Sequence, residues 1–260
     1  LGIAPVGGLI RKFAVPAIIS MLVSAMYNIV DQIFIGQGVG MLGNAATNVA
    51  FPVTTIATAL ALLLGIGGAS NYNLEMGAGH EKKASSIAGT ALSSLVILGT
   101  ILAIIVLVFL QPLLSLFGAT KDVMPYAVDY LGITAVGLPF YVLSVGGNHL
   151  VRADRSPTYS MTCVLTGAII NTILDPLFIF GFGWGIKGAA WATVIGQIVS
   201  GILVIIYFAK LRKMYLDRSM LKPSLGCLGA IISLGMASCI NQIAMAVVQI
   251  VMNNILRYYG

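Results

Sequence analysis

The sequence predicts an all-α integral membrane protein, a six-helix transmembrane bundle with a seventh transmembrane helix after it. Three observations lead there. Hydrophobic residues make up 58% of the 260 and charged residues only 8%, whereas a soluble domain carries about 25% charged residues to cover its surface. Mean hydropathy is +0.99. The apolar residues gather into seven runs of the length, about 20 residues, that a helix needs to cross the hydrocarbon. These runs are Leu/Ile/Val/Ala/Gly-rich and too long for the alternating strands of a membrane barrel. The composition excludes disorder and a disulfide scaffold. Cys163, Cys227 and Cys239 all sit in apolar runs, which argues against a disulfide framework or a zinc site.

The first run, 13–36, follows Arg11 and Lys12 and contains Pro16. It is too long for a secretory signal peptide and lacks the small-residue cleavage site. The second, 47–71, contains Pro52 and ends near Gly65, Gly67 and Gly68. No strand–turn–helix context surrounds those glycines, so they read as close helix packing, not a dinucleotide loop. The third, 85–110, follows Lys82 and Lys83, and the fourth, 124–149, carries Pro139 and leads into Arg152 and Arg155. The fifth, 159–182, contains Asp175 followed directly by Pro176; "GFGWGIKGAA" then forms a turn and a small-residue face opening the sixth, 187–209. A long charged connection, 210–226, precedes the seventh run, 227–256.

The charges orient these spans. Of the 14 Lys and Arg, eleven fall at one set of ends: Arg11, Lys12, Lys82, Lys83, Arg152, Arg155, Lys210, Arg212, Lys213, Arg218 and Lys222. The other ends hold Lys121, Lys187 and Arg257. By the positive-inside rule the N-terminus is cytoplasmic. The pI of about 9.3 is therefore a topology signal, and no nucleic-acid partner is expected. Sliding the seventh span onto the first pairs Ile19 with Ile240, Ala25 with Ala246, Ile29 with Ile250 and Val30 with Val251. That is the pattern of a two-repeat transporter whose second repeat has just begun. The expected organisation is an N-lobe at 1–209, a cytoplasmic linker at 210–226, and the first helix of an incomplete C-lobe at 227–260. A chain stopping at Gly260 is expected not to transport by itself.

Six acidic residues (Glu75, Glu81, Asp122, Asp129, Asp154, Asp217) fall in loops or at helix ends, but Asp31 and Asp175 lie deep in apolar sequence. An ionised carboxylate at a helix centre costs about 2.5–3.5 kcal/mol or more. Either each reaches interfacial water or a buried hydrogen bond, or the pair couples ions. Helical stripes accompany them: Ser20, Ser24, Tyr27, Asn28 and Asp31; Asn44, Asn48, Thr55 and Thr58; Asn171 and Asp175; Ala189, Thr193, Gln197 and Ser200; Gln242, Met245, Gln249 and Asn253. Such stripes face one another or a watery cavity, as interhelical glue or as a site. Pro176 frees a carbonyl of the preceding turn close to Asp175, consistent with a hard-cation or proton site and equally with ordinary kinking. Tyr27, Phe51, Tyr130, Phe140 and Met245 offer surface for varied apolar bodies or plain packing. His80 and His149 lie apart, so no soft-ligand metal cluster forms, and no nucleophile–base set supports an enzyme.

"NIVDQIFIGQG" (28–38), "VDYLGITAVGLPF" (128–140), "RADRSP" (152–157) and "NTILDPLFIFGFGWGIKGAAWAT" (171–193) together resemble the MATE (multidrug and toxic compound extrusion) transporter family. The resemblance implies twelve helices in two lobes around a cleft of alternating access, with this chain spanning the N-lobe and the first C-lobe helix. It implies that Asp31 and Asp175 take part in H⁺ or Na⁺ coupling. Around them it places Asn171, Thr193, the carbonyl of Ala189, Tyr130, Asn148 and Tyr27, with a possible Na⁺ held at Asp31, Asn171, Asp175 and Thr193. No cofactor beyond the coupling ion is implied.

The expected function is antiport: H⁺ or Na⁺ enters as an amphipathic, often cationic drug leaves. Carboxylates in a low-dielectric site hold either the ion or the drug's charge, and the membrane potential adds about 2.3 kcal/mol per charge per 100 mV. The partners are small organic cations, the lipid bilayer and the missing C-lobe. The location is the cell membrane, multi-pass, in a bacterial inner membrane. One rival is a flippase for lipid-linked oligosaccharides, which would be expected to place basic residues inside the spans; a non-transporting membrane subunit is another.

Overall fold

The computed structural model describes residues 6–212, 214 and 217–259; Lys213 and Gly260 lie outside them, and the side chain of Arg218 is not described. Its helices are α1 (Val6–Gly38), α2 (Met41–Gly77), α3 (Glu81–Val108), α4 (Leu110–Leu116), α5 (Met124–Ala153), α6 (Pro157–Pro176), α7 (Ile186–Ile206) and α8 (Leu225–Tyr259). α6 and α7 each run on into a wider π turn, Leu177–Gly181 and Tyr207–Leu211. Among the described residues, seven helices are long and apolar enough to cross a membrane. They are the seven runs read from the sequence, and the protein is an all-α, multi-span membrane protein.

The helices outrun the apolar segments. α2, at 37 residues, is about 55 Å long, so its ends stand clear of a hydrocarbon layer about 30 Å thick. Glu75, expected in a loop or at a helix end, sits in the last turn of α2 and binds His80 at 2.9 Å and Lys83 at 2.6 Å. The sequence reading missed α4, which follows a break at Phe109. Its seven residues continue the apolar composition of α3, and Pro112, which cannot donate to the Val108 carbonyl, marks the break.

Lipid-facing and inward-facing stripes divide each helix. On α1, Ile18, Leu22, Met26, Ile29 and Ile33 are exposed at helical spacing, and the polar stripe lies on the other side. The main core is formed by small and aliphatic residues of α2, α3, α5 and α7, with Ile231 of α8. Glycines let backbones meet there: a Cβ at Gly65 would strike Gly146, and one at Gly68 would strike Ala91.

Two packing arrangements position the interior. α1 lies along α6, two helices that run in the same direction, so residues about two turns before their ends come level. α8 runs antiparallel along the length of α2. At one end a Cβ on Gly67 or Gly235 would overlap the carbonyl of Ile231 or Leu63, and Asn71 Nδ2 donates to the Ala230 carbonyl at 2.8 Å. At the other end Asn253 Nδ2 donates to the Asn48 carbonyl at 3.3 Å. That carbonyl is the one Pro52 leaves without an intrahelical donor. The connection before α8 folds onto α3: the Met220 carbonyl fills the space over Gly89, and Ser224 N donates to Thr90 Oγ1 at 3.4 Å.

Candidate functional site

Asp31 of α1 and Asp175 of α6 meet in the bundle interior, 7% and 0% exposed. Their carboxyls lie within hydrogen-bonding reach of each other. Two ionised carboxylates can only accept, so this contact has room for one shared proton or one small cation. Asn171, one turn before Asp175, stands on the same face. Its amide is best oriented with the nitrogen donating to Asp175 Oδ2 at 3.2 Å and the oxygen accepting from Thr193 N–H at 3.2 Å. Tyr130 stands beside Thr193, and Tyr27 and Tyr130 both stand beside the two acids. Four helices distant in sequence, α1, α5, α6 and α7, thus converge on one polar cluster.

Two expected residues stand outside that cluster. Ala189 is fully buried against Ile35 and Ile179, one turn before Thr193, and it lines neither cavity described next. Asn148, 3% exposed, lies in the neighbouring cavity, with Nδ2 donating to the Ser144 carbonyl at 2.8 Å.

A cavity of about 720 Å³ opens from the cluster toward α2 and α8. Asp31, Tyr27 and Tyr130 line it, facing Thr55, Gln242 and Gln249 across the space. Among the described residues lining it, none is Lys or Arg. Of the residues left between ligand surface and plain packing, Phe51 and Met245 also line it, whereas Phe140 packs on Gly201 of α7. A second cavity, about 560 Å³, continues toward the basic-rich end between α1, α5, α6 and α7. Ser20, Ser24 and Asn28 line it from α1, Asn148, His149 and Arg152 from α5. Arg152 Nε donates to Ser160 Oγ at 3.0 Å, so the guanidinium is tied at the far end of this cavity.

Sequence reasoning missed Tyr141, which stands with Thr58 of the α2 stripe in the wall common to both cavities, their hydroxyls 2.8 Å apart. A signal existed: Tyr130, Thr134, Tyr141 and Asn148 follow one helical face of the fourth span. Asp154 also differs from expectation. Placed by sequence among the loop acids, it is 3% exposed, its Oδ2 accepting from the Tyr207 hydroxyl at 2.7 Å. Loop position alone does not show that a later helix returns to cover it.

Helices that bury a carboxyl pair beside two polar cavities define a multi-span membrane protein with a solvent-suited interior. The chain belongs to the MatE family, whose model matches residues 16–177. It is similar to the multidrug export protein MepA of Staphylococcus haemolyticus, 30% identical over 95% of this chain and 55% of that protein. It is likewise similar to the FAD transporter of Shewanella oneidensis, 33% identical over 97% of this chain and 58% of that protein. The chain thus spans a little over half the length of these curated relatives. Its fold superposes on a ligand-bound structure of the MATE multidrug transporter DinF-BH with a TM-score of 0.93 and 33% identity, covering 100% of this chain and 58% of that one.

Proposed function

We propose that the chain forms the ion-coupled half of an antiporter that exports amphipathic, often cationic drugs in exchange for H⁺ or Na⁺. The observation that carries this reading is the Asp31–Asp175 pair, buried beside a 720 Å³ cavity without a basic lining residue. Two carboxylates at one site do not both stay ionised without a counter-charge. A proton or Na⁺ supplies it in one state, and the drug's positive charge supplies it in the other, so the two compete and exchange. Asn171 holds Asp175 and is itself held by the Thr193 N–H, and the two residues add the amide and hydroxyl oxygens that a Na⁺ at Asp31, Asn171, Asp175 and Thr193 would use. Family membership and the resemblance to MepA and DinF-BH support drug export. The basic-rich ends, and with them the N-terminus, face the cytoplasm of a bacterial cell in this reading. Residues 1–209, 210–226 and 227–260 then serve as N-lobe, linker and first C-lobe helix.

The test is ethidium efflux from vesicles carrying this half joined to the second lobe that the reading requires, with a Na⁺ gradient and a pH gradient imposed separately. One gradient is expected to drive efflux, and Asp31→Asn or Asp175→Asn to abolish it while membrane insertion stays normal. Efflux that persists in both variants would refute the coupling role; efflux under neither gradient would refute the drug reading.

A further inference from the structure

We infer that a crevice on the lipid-facing side of the bundle, between α3, the end of α7 and the connection that precedes α8, binds an anionic phospholipid from the leaflet at the basic-rich ends. The crevice encloses about 910 Å³. Its floor is Leu92 of α3, Leu143 of α5, and Val204 and Phe208 from the end of α7, all buried. Its lips, Val96 and Ile97 on α3 and Ile205 on α7, are 42%, 47% and 48% exposed. Among the described residues, none lines both this crevice and either interior cavity. Leu143 stands about half a turn round α5 from Tyr141, so the crevice lies on the other side of that helix from the polar interior.

The inside of the crevice suits acyl chains. Ser93, the polar side chain in its α3 wall, spends its hydroxyl on the Gly89 and Thr90 carbonyls at 3.0 and 3.1 Å. The lips open sideways toward hydrocarbon, where exposed Ile101, Ile104 and Ile202 continue the apolar surface. Phe208 and Ala209 lie in the π turn that ends α7, a distortion frequent at functional sites.

The mouth of the crevice is cationic. Arg212 reaches back over the π turn, its Nη1 donating to the Phe208 carbonyl at 2.9 Å. That bond holds the guanidinium at the rim and leaves other N–H donors for a phosphate. Lys210 and Lys222 are exposed, one next in the chain to Ala209 and the other between Leu221 and Pro223, all three of them lining residues. The connection 210–226 carries Lys210, Arg212, Lys213, Arg218 and Lys222 against Asp217, and Asp217 already has a partner within the chain. Basic residues just outside a span draw anionic lipid with about fivefold in affinity each. The Met220 carbonyl over Gly89 and the Ser224 N–H on Thr90 fasten this connection to α3, so Leu221 and Pro223 roof the crevice. A phospholipid seated here places its chains between α3 and α7 and its phosphate beneath the connection, which it braces. A zwitterionic lipid fits the crevice but lacks the net charge that the mouth favours.

Tryptophan quenching by brominated lipids tests this in the full chain, reconstituted in bilayers of phosphatidylcholine and phosphatidylglycerol. Trp184 and Trp191, which lie toward the other set of ends, are changed to phenylalanine. A single reporter is then introduced at the lip by Ile97→Trp or, for reference, by Val108→Trp, about three turns along the same exposed face of α3. At the lip, brominated phosphatidylglycerol should quench as a lipid bound about fivefold or more tightly than brominated phosphatidylcholine. At the reference position the two should quench alike. Arg212→Gln should shrink the preference at the lip several-fold, and Ala209→Phe, which fills the crevice and keeps every charge, should remove it. If either variant does not fold, the comparison of the two reporter positions still decides. Equal quenching by the two lipids at Ile97→Trp, or the same preference at both positions, would reveal an ordinary lipid annulus and overturn the inference. A preference that survives both Arg212→Gln and Ala209→Phe would overturn it as well.

Discussion

The contact between Asn253 and Asn48 ties α8 to a defect in α2, and a double-mutant cycle measures it. Pro52 has no N–H, so the Asn48 carbonyl one turn before it has no helical partner. Asn253 Nδ2 reaches that carbonyl at 3.3 Å from the facing helix. The bond is exposed at the edge of the larger cavity, and interhelical hydrogen bonds in membrane proteins average about 0.6 kcal/mol, up to about 1.7. Asn253→Leu, which keeps the volume, should therefore cost about 0.6–1.7 kcal/mol in reversible unfolding in mixed micelles. Pro52→Ala restores the intrahelical donor. In that background the same Asn253→Leu change should cost close to nothing, leaving a coupling energy about equal to the single-mutant loss. Equal cost in both backgrounds would refute the reasoning, because it would show Asn253 stabilising α8 by packing alone.

Other outcomes follow from the packing. Gly235→Val would drive a side chain into the Leu63 carbonyl, whereas Gly229 on the same helix has nothing within 4 Å of its Cβ position. The first change should lower stability by about 1–3 kcal/mol and Gly229→Val should leave the melting temperature unmoved; similar effects would mean α8 is not packed on α2 as described. Tyr207→Phe keeps the ring contact with Tyr159, centroids 5.0 Å apart, but removes the 2.7 Å hydrogen bond to Asp154. A loss of about 1.5 kcal/mol or more is expected for a bond to a charged group, read as a lower melting temperature, and an unchanged value would show the bond to be dispensable.

Much of this molecule is legible in its sequence. Asp31 and Asp175 stand out because a carboxylate in an apolar run carries a cost that a single residue shows. Asn171 follows from Asp175 by the helical repeat, and Gly65 and Gly68 from the small-residue habit of membrane interfaces. Asp154 is not legible, since its burial depends on Tyr207, 53 residues later. Which of its two alternatives Phe140 takes is not legible for a similar reason: its packing is decided by Gly201 across the interface. The break that creates α4 has a single marker, Pro112, inside an otherwise apolar run.

What the sequence determined by itself was the class of protein, the seven spans, the basic bias of one set of ends and the residues too polar to face lipid. These are properties of local segments: the hydrocarbon thickness sets the length, and helical periodicity sets the face. Only the tertiary structure decided that α1 lies along α6, bringing the two acids within reach, and that α8 closes a cavity against α2. Each of those depends on which distant surfaces fit one another, and that fit is a property of packed pairs of helices.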